Sequence, residues 1–206
     1  MRPTYAIAAI LVAAALPAVE VRLNFTASPP EAAFVWYEGR TGRPVEPVVV
    51  DQVERTFTPG AVVAAPGASL RIRNSDQQQH NVFAYDERLR QDADLGLGQP
   101  GSVLERVVDW PVGEVLKHGC KIHPDMRLWV LCTTSPEAAG QRLDRTRREF
   151  ILRLEGTPGA VRLWLSRGDA VTIAPGAPAS LTLGGRTIGS AAITTPDPGP
   201  RTPDPK

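Results

Sequence analysis

Between residues 19 and 25 apolar and polar side chains alternate, with Val19, Val21, Leu23 and Phe25 on one side and Glu20, Arg22 and Asn24 on the other. A period of two is the mark of a half-buried β-strand, because successive side chains of an extended chain point to opposite faces. Ser28-Pro29-Pro30 interrupts the pattern. Ala33 to Tyr37 (AFVWY) is then apolar throughout, which predicts a more deeply buried strand. Short apolar runs separated by turn residues continue down the chain. Strands are predicted over 48–51, 61–65, 69–73, 80–85, 103–110, 115–119 and 127–134, with Pro44 to Pro47, Pro59-Gly60 and Pro66-Gly67 as breaks. The charged, Gly-containing stretch Asp86 to Gly101 reads as a surface loop. No segment before residue 135 repeats at a helical period, so the pattern predicts an all-β antiparallel sandwich of short strands.

The pattern changes at residues 136–149 (PEAAGQRLDRTRRE), which are polar and rich in arginine. They read as a linker or short helix, and Arg142, Arg145, Arg147 and Arg148 form either a docking patch or a solvated face. Four more strands follow over 150–154, 161–165, 171–174 and 180–183, and a Pro-rich tail over 195–206 is expected to be extended and disordered. At the other end, Arg2 precedes the uncharged run Tyr5 to Ala18, shorter than the roughly 20 apolar residues of a stable membrane span. Residues 1–18 are therefore expected to be an export signal. The expected organisation is that signal, a sandwich over 19–135, the 136–149 linker or short helix, a small β-rich region over 150–194, and the tail.

Composition narrows the function. Among 206 residues, 23 basic side chains balance 22 acidic ones, which argues against nucleic acid as a partner. No transmembrane span is expected once the signal is removed. Twenty prolines and eighteen glycines suit a fold with many turns. The informative residues are the rare ones: two cysteines, three histidines and one methionine beyond the initiator.

Most of these rare residues fall in His118-Gly-Cys120-Lys-Ile-His123-Pro-Asp-Met126. Cys120, His123 and Met126 stand at steps of three where one predicted strand ends and the next begins, so a tight loop could aim them into one pocket. His80 opens a separate strand that a sandwich could bring to the same end. The set is a thiolate, two imidazoles and a thioether. A thioether suits copper and not magnesium or zinc, and two His and one Cys with a weak axial Met is a copper pattern. One copper ion is the expected cofactor.

Asn74-Ser75-Asp76, His80-Asn81-Val82-Phe83 and Gly119 to Met126 resemble the cupredoxins of the plastocyanin and amicyanin group. Val50-Asp51-Gln52 and Phe57-Thr58-Pro59 extend the resemblance to exported cupredoxin-like proteins labelled methylamine utilisation proteins. It implies a Greek-key β-sandwich, with His80, Cys120 and His123 as equatorial ligands and Met126 as the axial one. It also implies a hydrogen bond from the Asn81 backbone N–H to the Cys120 sulfur, and a loop stiffened by Pro124. Two features depart from the family. His118 stands where the family has an apolar side chain, and is either a buried, hydrogen-bonded histidine or a rival ligand. Cys132, in the middle of an apolar run, is expected to be a buried free thiol; a disulfide to Cys120 would preclude copper. Residues 149–154 and 158–164 resemble the carboxypeptidase regulatory-like sandwich, although the region is short for a complete domain.

The expected function is one-electron transfer with a redox protein such as a cytochrome or a dehydrogenase, in the periplasm or otherwise outside the cytoplasm. If the signal is kept, the protein is membrane-tethered. The alternatives are a copper carrier or storage protein, and a cell-envelope binding module with a structural or decayed metal site. Three histidines are too few for the further copper clusters of oxidases and nitrite reductases, so no enzyme is expected.

Overall fold

The computed structural model describes residues 18–195. The expected export signal, apart from Ala18, and the tail from residue 196 lie outside the described residues.

The described residues form strands and no helix. Two strands come first, β1 (Ala18–Phe25) and β2 (Ala32–Trp36). A block of nine follows: β3 (Val48–Val53), β4 (Thr56–Thr58), β5 (Ala61–Ala64), β6 (Ser69–Asn74), β7 (His80–Asp86), β8 (Gln91–Gly98), β9 (Val103–Val107), β10 (Val115–Gly119) and β11 (Arg127–Cys132). The last six are β12 (Ala138–Arg142), β13 (Glu149–Glu155), β14 (Val161–Leu165), β15 (Val171–Ile173), β16 (Ala179–Leu183) and β17 (Arg186–Thr194).

These strands make two sandwiches. In the first, a sheet ordered β4-β3-β6-β9 faces one ordered β5-β11-β10-β7-β8. Most pairs are antiparallel, but β3 runs parallel to β6, and β5 to β11. Between the sheets lies one apolar core that includes Val50, Leu70, Ile72, Val82, Leu116, Leu128 and Val130. In the second sandwich, a sheet ordered β13-β1-β17-β16 faces one ordered β12-β2-β14-β15. Its own core includes Val21, Leu23, Val35, Leu152 and Leu163.

The strand pairing divides the chain differently from the expected 19–135 unit. Strand β1 lies between β13 and β17, and β2 lies between β12 and β14, so the N-terminal strands sit inside the sheets of the C-terminal sandwich. The first sandwich is thus an insertion between β2 and β12. This explains why residues 150–194 look short for a domain: two interior strands come from the other end of the chain. Alternation shows which face of a strand is buried but carries no information about its partner.

Two strands have both faces covered. On β2, Ala33 and Val35 enter the second core, while Ala32, Phe34 and Trp36 meet Ala61, Val115, Trp129 and Leu131 of the first sandwich. On β11, Leu128, Val130 and Cys132 face the first core, while Trp129 and Leu131 face this junction. That double burial accounts for the unbroken apolar runs AAFVW and LWVLC. The ring of Phe34 occupies the space where a side chain on Gly140 would stand.

Three local expectations also change. Residues 91–98, within the expected surface loop, are the edge strand β8, whose Asp92 and Asp94 are exposed while Leu95 packs on the core. Residues 138–142, within the expected linker or short helix, are the edge strand β12. Residues 186–194, which show no strand pattern in the sequence, form β17, inside its sheet between β1 and β16. Strands β8 and β12 are edge strands, which meet water along one side, so their composition is polar and the period is hard to see.

Candidate metal centre

The site is assembled by the β7–β10–β11 part of the first sandwich. Strands β10 and β7 pair antiparallel with Gly119 opposite Phe83, which directs the end of β10 toward the start of β7. His80 opens β7, and Cys120 follows the last residue of β10. His123 lies in the β10–β11 loop, and Met126 immediately precedes β11. Within that loop the Met126 N–H donates to the His123 carbonyl at 3.0 Å. Pro124 therefore follows the first residue of a four-residue turn, the position that its fixed φ favours.

Donor atoms of His80, Cys120 and His123 lie within 4.8 Å of one another. The two Nδ1 atoms of His80 and His123 are 3.0 Å apart, and Cys120 Sγ is 3.8 Å from His123 Nδ1. His80, Cys120 and Met126 are buried, and His123 is half-buried. Met126 belongs to the same apolar core as Cys120. The donor set fits copper on its chemistry: soft sulfur and imidazole nitrogen from the start of β7 and the β10–β11 loop, close enough to share one ion. A cavity of about 630 Å³ lies elsewhere, between the sandwiches beside Trp129 and Trp164. A single ion needs converging donors and no such space.

Electrostatics follow from burial and neighbours. His123 is harder to protonate than an ordinary histidine, first because of burial and then because of His80 and Arg55. The outer nitrogen of His80, Nε2, lies 2.7 Å from Asp76 Oδ2. Asp76 also accepts from the Glu54 N–H at 2.6 Å and the Arg55 N–H at 2.8 Å. Burial works against the Asp76 charge, but the bonds from Arg55, His80 and Glu54 outweigh it and hold the carboxyl below the usual carboxylate range.

Asn81 acts through its side chain. The expected bond from its backbone N–H to the Cys120 sulfur is not among the hydrogen bonds of the described residues. Its Oδ1 instead accepts from the Lys121 N–H at 3.4 Å, a long contact. Its Nδ2 donates to Asp94 Oδ1 at 2.7 Å and to the Gly96 carbonyl at 3.1 Å. A register shift between Asn81 and Phe83 accompanies this, an irregularity of the kind that re-aims side chains beside a site. Asp94 is held at about 2, chiefly by the Lys121 ammonium 2.6 Å away. The residue after Cys120 is thereby fastened to β7 and β8.

His118 lies outside the donor cluster. It is buried on the core side of β10, against Trp110 with ring centroids 5.8 Å apart, and its Nε2 is 3.5 Å from Arg106 Nη1. Its Nδ1 is buried without a hydrogen-bond partner. Burial first, and the Arg106 charge second, push its pKa down to about 3, so the ring is neutral. Two residues along a strand span about 6.8 Å, which sets this ring a full step deeper than Cys120. Cys120 and Cys132 are both free thiols. In the sequence Asp76 and Lys121 stand out only as members of motifs, and Asp94 falls in the stretch that reads as a surface loop; the four-residue step from Asp76 to His80 is the signal for the first of them.

No family model matches the chain, and no curated protein matches it. Solved structures to which it is similar include a purple cupredoxin from Nitrosopumilus maritimus, 17% identical over 42% of this chain and 99% of that one, with a TM-score of 0.36. An oxidised amicyanin variant is 18% identical over 42% of this chain and 81% of that one, with a TM-score of 0.37. A copper-containing nitrite reductase from Thermus scotoductus is 18% identical over 46% of this chain and 24% of that one, with a TM-score of 0.38.

Proposed function

We propose that this chain is an exported copper protein that passes single electrons to or from a redox protein such as a cytochrome or a dehydrogenase. One ion would be held by His80, Cys120 and His123, with the Met126 thioether as a weak further ligand. The observation that carries the reading is the convergence of the three donor atoms within 4.8 Å at one end of a sandwich, with a buried methionine, Met126, in the same apolar core as Cys120. Bound there, copper would supply a Cu(I)/Cu(II) couple. The chain's own part is to keep the donors still in both oxidation states, through the Asp76 and Asn81 hydrogen bonds and the turn at Pro124. His123, the half-buried member, offers its outer edge to a partner, with exposed Ile122 beside it. A carrier of electrons is favoured over an enzyme because the chain has three histidines in all. Export rests on Arg2 and the apolar run from Tyr5 to Ala18. Among the described residues no helix is long and apolar enough to cross a membrane.

Copper added to the metal-free chain should bind one ion per chain and give an intense thiolate-to-copper band in the visible red, lost in Cys120→Ser. Stoichiometric copper without that band, with rapid loss of Cu(I) to a chelator and no electron exchange with a cytochrome, would replace electron transfer by copper carriage. No copper binding at all would leave an envelope binding module.

A further inference from the structure

We infer that Asp76 is a positioning residue for the proposed copper site, a carboxylate that fixes which His80 nitrogen faces the metal and shifts the balance toward the oxidised ion. The second half of this inference rests on the copper reading above; the first half does not.

His80 is fully buried, and its two ring nitrogens face different groups. Nδ1 is turned to His123 and Nε2 to Asp76 Oδ2, at 3.0 and 2.7 Å. A carboxylate oxygen 2.7 Å from Nε2 accepts the proton on that nitrogen, which leaves Nδ1 as the nitrogen turned to His123 and the donor cluster. Asp76 is itself fixed from two sides. The N–H groups of Glu54 and Arg55 both donate to its carboxylate. These two residues form the β3–β4 turn with φ of 50° and 56°, the left-handed conformation that turns the two amides toward the same carboxylate. On the other side the Asp76 N–H donates to Asn74 Oδ1 at 3.0 Å. Buried Asn74 in turn donates to the carbonyls of Gln78 and Gly98 at 2.8 and 3.0 Å. The Asn74-Ser75-Asp76 motif thus runs as a brace from a hairpin turn to the ring of a ligand.

Among the described residues Asp76 forms no ion pair with a lysine or arginine, and its ring partner is His80. A surface ion pair therefore does not account for its place. A histidine that donates to a carboxylate is a stronger electron donor through its other nitrogen, and partners of this kind tune metal sites. Extra donor strength and a nearby negative charge both favour Cu(II) over Cu(I).

Two measurements on the full chain test this. In the metal-free protein, nitrogen-15 NMR of the imidazoles should show His80 as the Nε2–H tautomer; the Nδ1–H tautomer overturns the assignment whether or not copper binds. In the copper-loaded protein, Asp76→Asn should lower Cu(II) affinity about 10–100-fold, lower Cu(I) affinity less, and raise the reduction potential. Each tenfold preference lost corresponds to about 59 mV. A variant with lowered Tm but unchanged potential and tautomer would make Asp76 a loop brace alone and overturn the inference. Should Asp76→Asn fail to fold, the wild-type NMR experiment decides the question. Wild-type protein that binds no copper while His80 is the Nε2–H tautomer refutes the copper reading, and with it the tuning half, but supports the positioning half.

Discussion

Cys120 and Cys132 sit at opposite ends of the β10–β11 hairpin and are not bonded to each other. In that hairpin Gly119 pairs with Arg127 and Val115 with Leu131, so the first sulfur lies at the loop end and the second at the far end. Cys120 lies one residue beyond Gly119 and Cys132 one beyond Leu131, so six residues of the hairpin separate them, about 20 Å and beyond the reach of a disulfide.

Cys132 should behave as an inert, pH-limited thiol. Burial raises its pKa from 9.0 to about 11. The folded chain therefore keeps a proton that the unfolded chain releases. The stability this contributes is complete below pH 9 and is lost as pH rises through the window from 9 to about 11. Denaturation midpoints measured across that window should fall with pH, and Cys132→Ala should show a shallower fall. Thiol reagents should label Cys132 only after unfolding.

His118→Leu should leave one copper ion per chain and an unchanged visible band, because the ring sits among Trp110 and Arg106 rather than among the donors. Metal analysis and an absorption spectrum check this. A displaced band or lost copper would make His118 a ligand after all.

The junction between the sandwiches should be costly to hollow out. Phe34 is fully buried there, and Phe34→Ala should destabilise the chain by about 3–5 kcal/mol in denaturant titration. Gly140→Val should also destabilise it, by driving a side chain into the Phe34 ring.

Removing residues 1–36 should unravel the C-terminal strands. Both of its sheets lose an interior member, β1 from one and β2 from the other. Hydrogen exchange should show protection of 149–194 collapsing while the core of 48–132 keeps more of its own. Undiminished protection of 149–194 would mean that those strands fold without the N-terminus.

Local chemistry and local period were legible in the sequence by themselves. Alternation at 19–25 and 69–73 determined strands and their buried faces, and the Cys-x-x-His spacing with His80 marked three side chains whose donor atoms converge. Both signals live within a few residues, where bond geometry and side-chain chemistry decide. The tertiary structure decided what needs two distant segments at once. It gave β1 and β2 to the C-terminal sandwich, placed His118 a step below the donors, and turned Asn81 toward Lys121 and Asp94. It also set Asp76 between the β3–β4 turn and His80. A period of two fixes which side of a strand meets the core, and the surrounding fold alone fixes what waits there.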